Sequence, residues 1–520
     1  VNVLGRSAWC GALLLLGCEI GVMDVPIGAD LPSTFYVSPD GADDDPGTRA
    51  QPWKTFAHAT ARLEPGHTLV LLDGDYEAQT TGLLEVDCNR APRRGRASRP
   101  ITVRAESERG ARLHGDGARV PLDLRSCAHW IVEGLTLMNE HVAEVPSGTD
   151  VGSVAMLQGG HDIVLRRLLM LRPNHHRHTH LLRVLEAAQV LVEECESYDF
   201  FHNAFETVRS QAVTFRRNYF HSRDAESAED DLGTDDPTRG EVAIQVEESS
   251  YVLLENNVAE VLGTGFSVVG RPSGSPYTES PPFPVSGARL FGNVVRDALA
   301  YGFKVETRCN DALPCVAPER IVTDTLIVDG VVEQSAVGVS VNAAPGTRVD
   351  NVTLANVTNG VVLQRGPGNA GLEFSARAAR ALVRGFTGVA FGASDTADWS
   401  FNHCAALSPG TESVSFSPND ARVLQPVSAD GTDECLVYLG RDSQLRRAAG
   451  AEGYVGADVV FRYQDGALTD LPLWEPGTGA FPCGAVVAGI NDDPAQSCRG
   501  VHERLRVGVA GCARPDPEKP

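Results

Sequence analysis

The chain has 520 residues and a formal net charge of −23. That length excludes one ordinary core and leaves either several domains or a repeat protein that grows along one axis, while the negative charge excludes a general nucleic-acid binder because it repels phosphates. With 52 glycines, 31 prolines and only 6% aromatic residues, a thin, turn-rich core is expected rather than a helical bundle.

At the N-terminus, Arg6 precedes an apolar run from Ala8 to Gly17 that ends Leu15-Leu16-Gly17-Cys18. The run is too short to span a bilayer permanently and reads as a signal peptide over residues 1–18, followed by a tether over 19–33. The Leu-Leu-Gly-Cys segment resembles a bacterial lipobox. That resemblance implies acylation of Cys18, with two lipid chains giving a stable anchor; the alternative is a plain signal peptide cleaved nearby. Glu19 stands where an inner-membrane retention signal carries Asp, so the expected location is the outer membrane or cell surface. No later stretch is apolar enough to cross a membrane.

Of the twelve cysteines, those outside the leader are Cys88, Cys127, Cys195, Cys309, Cys315, Cys404, Cys435, Cys483, Cys498 and Cys512. An even count in an exported chain favours disulfides. Cys309 and Cys315 are expected to close one short loop, and the pairing of the last three is open. The absence of a CxxC pair argues against a zinc or iron–sulfur site.

The first folded elements are expected at Phe35-Tyr36-Val37-Ser38-Pro39-Asp40-Gly41, then a short helix from Ala57 to Leu63, then Thr68-Leu69-Val70-Leu71 and Gly74-Asp75-Tyr76. The helix would cover the open end of a stack whose first coil otherwise exposes apolar side chains. This opening, with Pro46-Gly47-Thr48, Pro52-Trp53-Lys54-Thr55-Phe56 and Pro65-Gly66-His67-Thr68-Leu69, resembles that of parallel β-helix polysaccharide lyases over residues 35–77. The likeness implies the fold more than the chemistry, since non-catalytic members share it.

Two series of short β-rich stretches then recur. One runs through His129–Leu137, Asp162–Leu169, Gln189–Cys195, Ala212–Phe220, Tyr251–Val258, Ala288–Val295, Arg320–Val328 and Thr347–Val357. The other holds Ala204–Val208, Ala243–Glu247, Gly265–Val269, Gly302–Glu306, Gly338–Asn342 and Gly360–Gln364. The shortest steps, about 22 residues, suit one three-sided coil. Asn218, Asn256 or Asn257, Asn293 and Asn356 follow strands of the first series, where asparagine tolerates a left-handed turn and hydrogen-bonds along a stack. They resemble the asparagine ladder of pectate lyases. The expected fold is an all-β, right-handed parallel β-helix over 34–405 with an N-terminal helical cap. A small disulfide-tied C-terminal β module over 406–515 would follow, with Asp465-Gly466 as a hairpin turn.

In the second series, alternation turns one column of side chains outward. The column holds Glu206 and Val208, Gln245 and Glu247, Ser267 and Val269, Lys304 and Glu306, then Ser340 and Asn342, with Arg183 at its head. Coils about 4.8 Å apart would let side chains two coils apart reach one sugar. An exposed column of this composition suits an acidic glycan. Insertions at 222–240, 271–284 and 307–318 would wall a cleft above it.

Gly302-Phe303-Lys304 resembles a strand of family-nine pectate lyases, where the lysine is the base. The resemblance implies that Lys304 abstracts the proton alpha to a uronate carboxyl group. Calcium or arginine would neutralise that carboxyl group before β-elimination. Arg183 and Arg308 are the neighbouring cations that would favour a neutral lysine. The family's calcium cage has no residue-by-residue match, and Asp230, Asp231, Asp235 and Asp236 of the acidic insertion are the candidate calcium ligands. His175-His176-Arg177-His178-Thr179-His180 is a weaker candidate for a transition metal. His202 and His221 flank the coil of Glu206 as substrate-binding or acid/base candidates, together with Gln245 and Glu306. Glu206 and Glu247 would permit glycoside hydrolysis if about 5 to 9 Å apart. The expected function is a polysaccharide lyase on acidic, uronate-containing glycans. The alternatives are a non-catalytic glycan- or partner-binding surface lipoprotein and a glycoside hydrolase on the same scaffold. The protein is expected to be a monomer that binds polysaccharide, with no nucleic-acid partner.

Overall fold

The computed structural model describes residues 33–90, 94–139, 153–171, 179–198, 200, 202–221, 242–271, 283–308, 321–365, 374–393, 398–407, 444–459 and 461–472. The chain is wound as a right-handed parallel β-helix, from Thr34–Val37 to Ala405–Leu407. Thirteen strands form one parallel sheet and nineteen another. The larger sheet is folded along its length into two rows. One coil, for example, passes from His161–Arg166 in the thirteen-stranded sheet to Leu169–Leu171 in the first row and His180–Leu185 in the second. In later coils the two rows fuse. Thr353–Gln364 pairs with Leu382–Arg384 through its first half and with Phe391–Ala393 through its second.

The strands are short, and each coil buries its inward side chains only because neighbours lie above and below. Leu182, Phe205, Ile244, Phe266 and Phe303 stack in register and are fully buried. At the open N-terminal end, the helix Phe56–Thr60 turns Phe56, Ala59 and Thr60 inward and is capped by the Thr55 hydroxyl, which accepts from the His58 amide. It begins one residue earlier and ends three earlier than the sequence suggested.

Corners repeat as well. Arg167, Glu194, Arg217 and Asn256 hold φ of 53°, 57°, 53° and 51° where the chain leaves the thirteen-stranded sheet. The next residue inward forms the ladder. Asn218 Nδ2 donates to Asn257 Oδ1 at 3.0 Å, and Asn257 Nδ2 donates to Asn293 Oδ1 at 2.9 Å. Asn257 is therefore the ladder member and Asn256 the left-handed turn. Asn356 (φ 54°) sits instead inside a fused strand, at the bend between the two rows. Cys195 heads the ladder as a buried thiol, and Cys404 is a second. Both run against the expectation of general pairing: each is buried, and among the described residues no cysteine stands opposite either. Cys88 and Cys127 form a disulfide.

Residues 444–472 run along the flank of the coils. Tyr454 and Tyr463 hydroxyls donate to Asp329 at 3.0 and 2.6 Å, and the amides of Asp465 and Gly466 donate to Glu255. The hairpin Phe461–Gln464/Ala467–Pro472 turns at Asp465-Gly466, both at positive φ. The cysteines expected to tie this module (Cys435, Cys483, Cys498 and Cys512), the Cys309–Cys315 loop and Cys18 lie outside the described residues. Among the described residues, no helix is long and apolar enough to cross a membrane.

Candidate functional site

The second row sets the column. Arg183 pairs in register with Glu206, Glu206 with Gln245, Gln245 with Ser267, Ser267 with Lys304 and Lys304 with Ser340. Two residues on, Val208, Glu247, Val269, Glu306 and Asn342 form a parallel file. Alternation therefore places both files on one face. The side chains do not stand into solvent as expected, however. Arg183, Glu206, Gln245 and Glu247 are all buried, since each lies along the stack against a charged or amide neighbour.

Glu206 is the hub. Its Oε2 lies 2.9 Å from Arg183 Nε and 3.4 Å from His180 Nε2, and its Oε1 accepts from Asn203 Nδ2 at 3.2 Å. Gln245 Nε2 donates to Glu206 Oε1 at 3.1 Å and to Glu247 Oε2 at 3.0 Å. One amide thus bridges two carboxylates in unlike surroundings. Glu247 is 2.8 Å from Arg271 Nε, yet burial pushes its carboxyl up to about 7; Arg271 pulls the other way, and the Glu206 charge adds to the rise.

Further along the stack, Glu306 Oε1 lies 2.9 Å from Lys304 Nζ and 2.7 Å from Arg308 Nε. Burial would raise the Glu306 carboxyl, but the two cations outweigh it and hold it below the ordinary carboxylate range. Lys304 also lies over the Tyr301 ring at 4.9 Å. Lys304, Arg271 and Arg308 form the wetter edge of the cluster, at 22%, 30% and 42% side-chain exposure.

Phe303 of the Gly302-Phe303-Lys304 motif packs into the core against Phe266, with ring centroids 5.7 Å apart. Gly302 is demanded by packing: a Cβ there would lie 2.3 Å from Val332 Cγ2 and 2.7 Å from the Gly338 carbonyl. Gly265, Gly338 and Gly360 occupy the same bend in neighbouring coils and are crowded in the same way. The Gly-Phe pair is therefore a consequence of fusing the two rows, and only the lysine is a matter of surface chemistry.

His202 lies at the start of the Glu206 strand, its ring 5.4 Å from that of His180. His221 belongs to a different cluster, on the first row. It stacks on Tyr198 and Tyr219, at 4.6 and 4.8 Å between centroids, and its Nε2 is 3.4 Å from Glu196 Oε1. Glu196 in turn pairs with Arg109 at 2.6 Å, with both side chains buried. Asp230, Asp231, Asp235 and Asp236 lie outside the described residues, as do His175, His176 and His178. Sequence reasoning missed Arg271, His180 and Asn203 as members of the site. His180 and Asn203 each stand three residues before a column residue on the same strand, so the alternation that found Arg183 and Glu206 gave no cue to a contact made from the strand's start.

No family model matches the chain and no curated protein does. Solved structures that resemble it include a lacto-N-biosidase of Eubacterium ramulus (13% identity, 72% of this chain and 67% of that one, TM-score 0.41). Two others are the A-module of a mannuronan C-5 epimerase of Azotobacter vinelandii (13%, 70% and 91%, 0.46) and a family 28 exopolygalacturonase of Yersinia enterocolitica (13%, 72% and 78%, 0.40). At these scores the likeness carries no weight for site or chemistry, which rest on register and side-chain geometry.

Proposed function

We propose that the protein is a glycan-active enzyme whose site is the second-row column, and that it hydrolyses glycosidic bonds in acidic polysaccharide. The observation that carries this reading is the Gln245 amide, hydrogen-bonded at once to Glu206 and Glu247. Two carboxyl groups held one coil apart, one ion-paired with Arg183 and the other raised by burial, suit a nucleophile or base and a proton donor. Glu247 would protonate the glycosidic oxygen as the bond to the leaving sugar breaks and Glu206 attacks the anomeric carbon; a water, giving its proton back to Glu247, would then displace Glu206 from that carbon and release the second sugar. A uronate carboxylate entering at the cationic edge would compete with Glu247 for Arg271 and so free the acid.

The second reading is β-elimination with Lys304 as base. It is favoured by the gathering of Lys304, Arg308 and Arg271 around one edge, and it requires substrate to break the Lys304–Glu306 ion pair. Calcium use through the acidic insertion, export and outer-membrane anchoring through Cys18, and a monomeric state are part of the same proposal.

A panel of acidic and neutral glycans, incubated with and without chelator, separates the readings. Hydrolysis releases reducing ends with no new ultraviolet absorbance, and E247Q and E206Q each lower the rate at least a hundredfold, while K304A lowers it about tenfold. An unsaturated product absorbing near 230 nm that K304A abolishes would replace this reading with the lyase. Retardation of a glycan in a gel with no product at all would leave a binding protein.

A further inference from the structure

We propose that His129, His161 and Asp162 form a binding site for one divalent transition metal of the zinc class, at the corner where the chain passes from the second row into the thirteen-stranded sheet. The site is created by coil stacking. Ala128–Glu133 and His161–Arg166 are neighbouring strands in register, with His161 opposite Ala128 and Ile163 opposite Trp130. Asp162 therefore stands opposite His129. Both take the left-handed conformation, at φ 55° and 56°, which swings their side chains out of the ladder toward one another. The Asp162 carboxylate lies 2.6 Å from His161 Nδ1 and 3.7 Å from His129 Nδ1, and the two imidazole rings are perpendicular at 5.4 Å. One ligand atom from each of the three lies within 4.8 Å of the others.

The backbone beneath is fixed more firmly than an exposed corner requires. The Cys88–Cys127 disulfide ends two residues before His129. The His161 amide donates to the Cys127 carbonyl at 3.0 Å, and the Gly95 amide donates to the Ala128 carbonyl at 2.9 Å. At Gly160 a Cβ would lie 2.1 Å from the Cys127 carbonyl oxygen, so the two coils touch backbone to backbone just before the ligands begin. The arrangement is local. In the next two coils the positions of His161 and Asp162 are held by Ala188 and Gln189, then by Gln211 and Ala212.

Two imidazole nitrogens and one carboxylate oxygen select a borderline ion such as Zn²⁺, Ni²⁺ or Cu²⁺ over calcium or magnesium, which take oxygen ligands. With bonds of about 2 Å, an ion entering the site would take the place of the 2.6 Å His161–Asp162 contact, and the half-exposed His161 ring has room to turn as it does so. Three protein ligands leave a fourth position for water or for a donor atom of a bound molecule.

The test uses the full chain without an affinity tag, stripped with chelator, and zinc chloride as the probe. Calorimetry should find one equivalent bound in the micromolar range that is absent from H161A and from H129A, with D162N about tenfold weaker. Copper(II) at the same site should give an electron paramagnetic resonance spectrum with coupling to two imidazole nitrogens, a signal that is lost in H161A and in H129A. Zinc should raise the melting temperature of the wild type and not of H161A. H161A separates loss of a ligand from loss of the fold, because its half-exposed ring leaves the metal-free melting temperature unchanged. The proposal is overturned if H129A/H161A binds as many zinc equivalents as wild type with the same affinity, or if calcium displaces zinc at equal concentration.

Discussion

At the scale of single residues, a charge on this scaffold is defined by the coil above it. Glu196 is the sharpest example: burial alone would push its carboxyl up, but the hydrogen bond from His221 and the charge of Arg109 pull it down to about 2. A carboxylate depressed in the folded state contributes stability that is present above its ordinary value near 4.5 and is lost as pH falls toward 2. E196Q should therefore destabilise the protein by about 3–5 kcal/mol at neutral pH, because the buried Arg109 loses the carboxylate 2.6 Å from it. Part of the acid-induced loss of stability should vanish with it, as chemical denaturation at pH 3 and pH 7 would measure. An E196Q protein as stable as wild type at pH 7 would mean that the other interactions of Arg109, the Glu108 charge among them, suffice to hold it. Sequence reasoning reached Glu206, Gln245 and Glu247 because strand alternation is a strict period of two. It did not reach the Arg109–Glu196 pair, since the partners are 87 residues apart in the chain and neither shows an apolar–polar rhythm that links them.

At the scale of elements, the flank segment over 444–472 is held by a buried carboxyl that keeps its proton to higher pH than an ordinary aspartate. Asp329 is buried, which raises its carboxyl; donors from Tyr463, the Asp458 amide and Tyr454 oppose the rise, and the balance lies at about 6. The neighbouring Asp458 is also raised by burial, against the pull of Arg446. A raised carboxyl contributes stability that is full below its unfolded value near 4 and is lost as pH climbs through 6. Docking of this segment should accordingly weaken from pH 5 to pH 7. D329N should weaken it at every pH while flattening that slope, read as hydrogen exchange of the Phe461–Gln464 amides across the pH range. A slope unchanged in D329N would assign it to Asp458 or Glu255, whose carboxyls burial also raises and which belong to or hold the same segment. The hairpin itself was legible from Asp465-Gly466, because that dipeptide suits two successive positive φ angles. Its landing place was not, since nothing in the local sequence says that Asn256, Glu255 and Asp329 lie on one edge. The asparagine ladder was legible for a similar reason and blurred for another: Asn256 and Asn257 have the same chemistry, and only the corner geometry separates the turn residue from the stacked one.

At the scale of the molecule, a solenoid transmits strain along one axis, since each coil touches only its neighbours. The bend shared by Gly265, Gly302, Gly338 and Gly360 is where that axis is tightest, because the fused strands leave no loop to absorb a misfit. G302A sets a methyl group against Val332 and the Gly338 carbonyl, with backbone on one side that cannot swing away. The expected cost is about 1–3 kcal/mol, the range for overpacking a dense core, and the coils must part or tilt to accept it. Tilt carries Lys304 and Glu306 away from Gln245 and Glu247, so the turnover rate should fall more than the melting temperature suggests. G466A is the control: its residue, unlike Gly302, sits at positive φ, but no atom lies within 4 Å of the added carbon. It should lower stability of the flank hairpin by about 1 kcal/mol and leave turnover alone. Measuring glycan turnover beside thermal melting in both variants distinguishes strain that travels along the stack from strain that stays where it is made. If G302A and G466A lowered turnover equally, the second-row column would not be the working face of the helix.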